Sequence, residues 1–575
     1  MSILKQCNFV TRRRSRPSCS GSSALVVAGW HFDCASAQRS KGLAMNKTYN
    51  IYKVKHSKLV QLKEKLAGVG LHQQKTHISN SYSMTFYFSD KVKGNDIWWW
   101  DTYRDFFNDD VIKPTNTFHF GMLLSHHIDK PEQIYAVSLG KAHFYLSKLI
   151  QYDFGIDLAV RMADENTILL KKSRYFTGTK RQDVSSYQRF QPNGYEPGES
   201  VDHLKLRASD RELWGERNII FADSIQMDMD RNPLDLSEIF DRIEAGLRGE
   251  EIIRLPKLEA VADELRNELD ELLFISLKNR QGDVQIDEFH VYGVAICFSF
   301  HDYDYRLSAK RSGEAGIHRK NIGNSLAVDR ISDFLIEHND IDDINSVSVQ
   351  FKSGDHGVFT QDLKEILDLP IAYDGYHYFL RNGDWYKFNQ TFMDYLKHSL
   401  DMIETILMEP LDEADYIRWR DEKQRKIDAE EPVDDKLIYR ESYFNKKQCA
   451  EQGYVLLDRQ LTQLQSMERG KKQYRVEVAD LFKDKEIISV KISETSPELI
   501  YNIEQSRDAV ELIKRGAISF DQEFNAAAIW FVFENEIQRI TEFNSIQFLL
   551  AVESWQKMVR SFDLTPRIYI SKHNK

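Results

Sequence analysis

The sequence predicts an α/β chain of the mixed, multidomain α+β kind: an N-terminal α+β region, a mixed middle region and a C-terminal core ordered αβββαβ. Three observations lead there. At 575 residues and 42% hydrophobic content, the chain is long enough for two to four domains with real cores. Strand-like alternation and helix-like stripes succeed one another along its length. Residues 431–575 carry the most regular succession, with a lysine on the third strand and acidic residues on the second.

Residues 1–44 differ from the rest, with seven Lys/Arg against the single acid Asp33. We read them as a disordered tail or an upstream start, the alternative being a signal or transit peptide. From Met45 the pattern predicts a strand over 49–55, a helix over 57–67 and a strand over 83–88. Three consecutive tryptophans open WWWDTYRDFF at Trp98. They cannot all face one way, so core positions are expected for most, with a stacking surface as the alternative. Strands over 117–124 and 133–138 lead into GKAHFYLSKLIQYDFG, read as strand, turn and a helix ending near Gly155.

The most basic segment follows, ILLKKSRYFTGTKRQDVSSYQRF. Lys171, Lys172, Arg174, Lys180, Arg181 and Arg189 interleave with Tyr175, Phe176, Tyr187 and Phe190. Cations for phosphates with aromatic faces for bases compose a nucleic-acid contact; a solvated strand pair of mixed charge is the other reading. His126 and His127 are adjacent, so on a strand they point apart and make no metal site. The DRNPLD string ends a first domain, 45–235.

In the middle region, 236–430, helices are expected at 237–247 and 258–272 and strands at 289–298 and 346–351. Asn382-Gly383 between aromatic strands predicts a tight hairpin. A helix over 392–407 follows, and the charge-dense run 419–436 reads as a linker. No P-loop, GxGxxG, HExxH or GxSxG occurs.

The last domain, 431–575, begins with a helix around Glu441 and an apolar run over 454–457. Strands over 474–482 and 486–493 flank the turn Lys483-Asp484-Lys485. On the third strand Ile488, Val490 and Ile492 share one face, Ser489 and Lys491 the other. A hairpin centred on Asp484 pairs residues whose numbers sum to twice 484, or 968. Glu477 then stands opposite Lys491, with about 5 Å between β-carbons. Asp480 falls on the other phase unless a bulge turns it over. Carboxylates that hold Mg²⁺ beside a water-activating lysine are what metal-assisted phosphodiester hydrolysis needs. The expected roles are Glu477 and Asp480 as ligands, Glu441 as a third, Lys491 on the water and Gln505 assisting. A capped helix starts at Ser496-Pro497 and stops at Gly516, with Leu499, Ile503, Ser506, Val510 and Ile513 as its apolar stripe. The unbroken run AAAIWFVFE is an interior strand. A helix over 545–562 and a strand over 567–570 complete the unit.

This element order resembles the restriction-endonuclease-like core of the PD-(D/E)xK group. Active members place Asp or Glu two residues before the lysine, where this chain has Ser489. The strings YDFGIDLAVRM, YHYFLRNGDWYKFNQTF, ESYFNKKQCAEQGYVLLDR and VADLFKDKEIISVK together resemble a family of uncharacterised, sporadically distributed bacterial and phage proteins. Its members more usually carry cysteine and histidine where Ala479 and Ser489 stand here, and its serine-rich stretch ending in glutamine corresponds to 496–505. The resemblance implies a role in mobile elements or anti-phage defence.

Two functional classes follow. One is a Mg²⁺-dependent nuclease acting on DNA or RNA. The other is an inactive DNA- or RNA-binding or sensing module, or a scaffold for a protein partner at the aromatic hairpin 376–386. The net charge of −11 excludes a generally basic nucleic-acid coat and leaves room for a local groove. Five cysteines without CxxC spacing imply reduced thiols and a cytoplasmic setting. No apolar run approaches the length of a membrane span.

Overall fold

Alternation of apolar and polar residues along the N-terminal third builds one antiparallel sheet of eleven strands between Lys47 and Ala208 and on to Met229. The computed structural model describes residues 47–575, apart from 92–93, 98–99, 147, 178–180, 193, 281–283, 287–289, 293–294, 298–302, 312–315, 354–356, 458–460 and 464–474. The tail 1–44, Trp98, Trp99 and Lys180 therefore lie outside the described residues, whereas Trp100 is buried. The first strand, Lys47–Lys53, sits within the sheet between Ile225–Met229 and Ile134–Leu139. Neighbouring residues alternate between two cores. Val137 and Leu123 face helices Phe154–Met162 and Leu236–Leu247, while Ala136 and Leu124 face helix Leu59–Gly68.

The helix expected to end near Gly155 begins at Phe154 instead. Gly155 explains why the chain turns helical there. Its amide donates to the Ala222 carbonyl at 2.9 Å, and a β-carbon at this position would lie 2.4 Å from that oxygen. Only glycine lets the helix start approach the neighbouring strand so closely.

The middle region holds a four-stranded and a five-stranded antiparallel sheet. Asn382 (φ 51°) and Gly383 (φ 78°) form the tight turn between Tyr376–Arg381 and Asp384–Phe388. The helix after it spans Gln390–Asp401 and stops short of the expected 407, because Glu404–Leu407 becomes a strand. The expected linker 419–436 is largely helix Glu413–Asp428, whose buried Lys423 pairs with Asp435 at 2.7 Å. The expected strand 289–298 falls partly on residues outside those described, leaving short strands His290–Tyr292 and Ala295–Cys297.

The C-terminal region runs α1 (Arg440–Gln452), β1 (Val455–Leu456), β2 (Leu481–Lys483), β3 (Glu486–Ile492), α2 (Ser496–Lys514), β4 (Ala526–Phe533), α3 (Ile546–Ser561) and β5 (Thr565–Asn574). Its strands lie side by side in chain order, β1-β2-β3-β4-β5. The first pairings are antiparallel, while β3–β4 and β4–β5 are parallel. Glu404–Leu407 and Leu411–Asp412, from before the helix, add parallel to the free side of β5. All eight residues of β4 are buried, as a strand covered on both faces requires. Leu499, Ile503 and Val510 of α2 pack with Ile487, Ile529, Phe531 and α3 on one face of the sheet. Tyr443 and Phe444 of α1 pack with Ile488, Val490 and Trp530 on the other. No helix among the described residues is long and apolar enough to cross a membrane.

Candidate functional site

The register of the β2–β3 hairpin decides what stands near Lys491. Leu481 pairs with Ile488, Phe482 with Ile487 and Lys483 with Glu486. The turn therefore has two residues, Asp484 and Lys485, both at positive φ (51° and 66°), where a three-residue turn was expected. A one-residue slip moves every side chain to the other face. The long expected strand 474–482 is also interrupted. Arg475–Glu477 pairs with Leu461–Gln463 in a separate ribbon, Glu477 against Leu461, and β2 starts only at Leu481. Glu477 is thus not the cross-strand neighbour of Lys491. This corrects its expected pairing.

Because β2 is so short, β3 runs on past it, and no other described strand pairs with that edge. Among the described residues, Ser489, Val490, Lys491 and Ile492 have strand partners on β4 alone. The edge amides are met by two carboxylates. Asp480 Oδ2 accepts from the Val490 amide at 2.7 Å, and Glu441 Oε1 accepts from the Ile492 amide at 3.4 Å. Asp480, placed on the wrong phase by simple alternation, reaches this edge because strand geometry lapses at Val478–Asp480; its own amide donates to Ile488 O at 3.0 Å. Asn445 Nδ2 lies 3.5 Å from Asp480 Oδ1. Lys491 Nζ is 2.9 Å from Glu441 Oε1, with both side chains about a quarter exposed (22% and 28%).

These groups border one cavity of about 240 Å³. Glu441, Asp480, Lys491 and Gln505 all line it, joined by Ser489, Asn445, Tyr501 and Asn502. Four of the five residues assigned to chemistry from sequence therefore meet here, brought from α1, the entry to β2, β3 and α2. Sequence reading missed Asn445 and Asn502, although helical spacing points to both. Asn445 is four residues after Glu441 on α1, and Asn502 is three before Gln505 on α2. Both are buried, and Asn445 Oδ1 and Asn502 Nδ2 have no hydrogen-bond partner among the described residues. Tyr501 is 65% exposed at the mouth. The two carboxylates are oxygen donors of the kind a hard cation takes, and Mg²⁺ commonly keeps waters beside one or two such ligands. Each carboxylate has about four acceptor positions, so its backbone bond does not exhaust it. The residues fit such an ion.

The basic strip has a different fate. Its strand, Leu170–Tyr175, lies between Arg181–Ser186 and Glu199–Ala208, and Lys171, Lys172, Arg174 and Tyr175 are buried. Lys171 Nζ meets Glu199 Oε1 at 2.7 Å, and Arg174 meets Asp368 at 3.2 Å. All four are thus buried instead of forming the expected solvent-facing contact, Lys171 and Arg174 in internal ion pairs. Their counter-charges come from distant sequence. Arg181 is exposed, paired with Asp183 at 3.1 Å, its guanidinium 4.0 Å over the Tyr175 ring; Arg189 is exposed too. Lys172 borders a small polar cavity with Asp202, His203 and Arg381, where burial pushes its pKa down. Burial opposes charge on Asp202 as well, but Arg381, Arg174 and Lys172 outweigh it and hold that carboxyl below its ordinary range.

The profile of a family of unknown function (DUF6119) matches residues 49–557, and the chain belongs to that family. No curated protein and no solved structure matches it.

Proposed function

We propose that this family member acts on nucleic acid through its C-terminal region, as a metal-dependent nuclease that hydrolyses phosphodiester bonds in a defence or mobile-element setting. The observation that carries this reading is the meeting of Glu441, Asp480 and Lys491, from three separate elements, at the edge of β3 beyond β2. The order helix, three strands, helix, strand is also that of the restriction-endonuclease-like core. Glu441 and Asp480 would hold Mg²⁺, which when bound supplies a Lewis acid for the phosphoryl oxygen and acidifies a water. Lys491 would orient the attacking water toward phosphorus. Gln505 and Asn502 donate to the non-bridging oxygens, and exposed Tyr501 offers a face on which a base stacks. The test is cleavage of single- and double-stranded DNA and RNA with Mg²⁺, Mn²⁺ or EDTA. Lys491→Ala should cut at least about 100-fold more slowly, the low end for losing a positioned acid–base group, with an unchanged circular-dichroism spectrum. Full cleavage by this variant sinks the mechanism.

Ser489 favours a second reading. It is buried at the cavity wall where active PD-(D/E)xK proteins carry a carboxylate. If chemistry is lost, the cavity only grips a phosphate, and binding should be metal-independent and fall steeply with salt. Absence of both cutting and binding would point to a protein partner.

A further inference from the structure

We propose that His318, His338 and Asp340 form a transition-metal site, suited to Zn²⁺, in the middle region and separate from the cavity at β3. His318 lies on Ile317–Gly323, an outer strand of the four-stranded sheet. His338 immediately follows helix Val328–Glu337, and Asp340 sits two residues on, in a turn closed by the Ile341 amide on the His338 carbonyl at 3.1 Å. The fold thus brings a strand and a helix end together at three metal-ligating side chains.

One donor atom from each residue lies within 4.8 Å of the others. His318 Nε2 is 2.7 Å from Asp340 Oδ2, and the imidazole rings stack at 3.9 Å with 17° between planes. Zinc bound at about 2.0–2.2 Å holds tetrahedral donors roughly 3.3 Å apart. Binding needs donor shifts of about an ångström and rotation of one imidazole out of the stack, because an ion lies in the plane of each ring that binds it. The His338 ring has no hydrogen bond among the described residues, so nothing there competes for its nitrogens. Phe334 packs edge-on against it at 5.0 Å and steadies the ring. Arg311, 3.8 Å from Asp340 and 40% exposed, would have to swing out. Two imidazoles and one carboxylate favour Zn²⁺ or Co²⁺ over Mg²⁺ and leave a fourth position for water. The oxygen donors at β3 have the opposite preference, so the two sites are chemically distinct.

The test uses untagged full-length protein dialysed against Zn²⁺ and assayed for bound metal. One Zn²⁺ per chain is expected, weakened at least tenfold by His338→Asn and by Asp340→Asn and untouched by Asp480→Asn. On the unaltered chain, Zn²⁺ should also shield His318 and His338 from diethyl pyrocarbonate, read by peptide mass. Wild-type protein that binds no zinc, variants that bind as wild type, or equal modification with and without zinc would each overturn the assignment.

Discussion

Asp480 serves two ends at once, and substitutions separate them. Its carboxylate accepts the Val490 amide on the edge of β3 beyond β2 and borders the cavity with Glu441 and Lys491. Asp480→Ala leaves that amide without its acceptor. Val490 is 3% exposed, so the orphaned donor costs about 1–3 kcal/mol. At about 1.4 kcal/mol per factor of ten, hydrogen exchange of a peptide spanning 486–492 should quicken roughly 5- to 140-fold if local opening controls it. Asp480→Asn keeps a carbonyl oxygen for the same bond and loses only the charge assistance, about half of its strength. Exchange should then rise only a few-fold at most. Cleavage, by contrast, should collapse in both variants, because the amide is a poor substitute for a charged metal ligand. Mass-spectrometric exchange and the nuclease assay on the same preparations give both answers. Unchanged exchange in Asp480→Ala would refute the edge-capping role. Full cleavage by Asp480→Asn would refute the ligand role and leave Asp480 a structural cap.

Two further predictions concern the buried charges. Glu199→Ala strands Lys171 in an interior where both side chains are almost fully covered (4% and 0% exposed); breaking such a pair costs about 3–5 kcal/mol, so thermal unfolding should move sharply down, and Lys171→Met in the same chain should restore part of the loss. Glu553 is fully buried, and burial pushes its carboxyl up more than Gln556 and Lys557 pull it down. The folded state therefore binds its proton more tightly than the unfolded state and loses stability as pH rises from the ordinary value of 4.5 through the raised one. Glu553→Gln should stabilise the protein at neutral pH, with the gain vanishing below about pH 4.5, where both forms are uncharged. An equal gain at all pH values in a denaturant series would exclude this cause.

Elements whose signal is local were legible. The buried run of β4, the stripe of α2 and the Asn382-Gly383 turn each follow from periodicity or φ requirements that neighbouring residues satisfy among themselves. Helix Phe154–Met162 was misplaced because its start depends on room beside Ala222, far along the chain. The basic strip misled for the same reason. Glu199 is 28 residues from Lys171 and Asp368 is 194 from Arg174, so local composition showed cations without their partners. At the site, Lys491, Glu441 and Gln505 were legible from element order. The pairing of Glu477 with Lys491 was not, because one residue in the turn and the break before Leu481 reset the register.

The parallel pairing of Glu404–Leu407 with β5 has a cost in time. Glu404 aligns with Arg567, 567 − 404 = 163 residues later. At roughly 5–20 residues per second of synthesis, the earlier strand waits about 8–33 s on the ribosome before its mate exists. Its Leu407 is 59% exposed even in the finished fold. During that interval it presents an unsatisfied backbone edge to every other nascent copy. Expression yield should therefore respond to slower translation of the segment between them, and to holdase chaperones, more than native stability alone would explain.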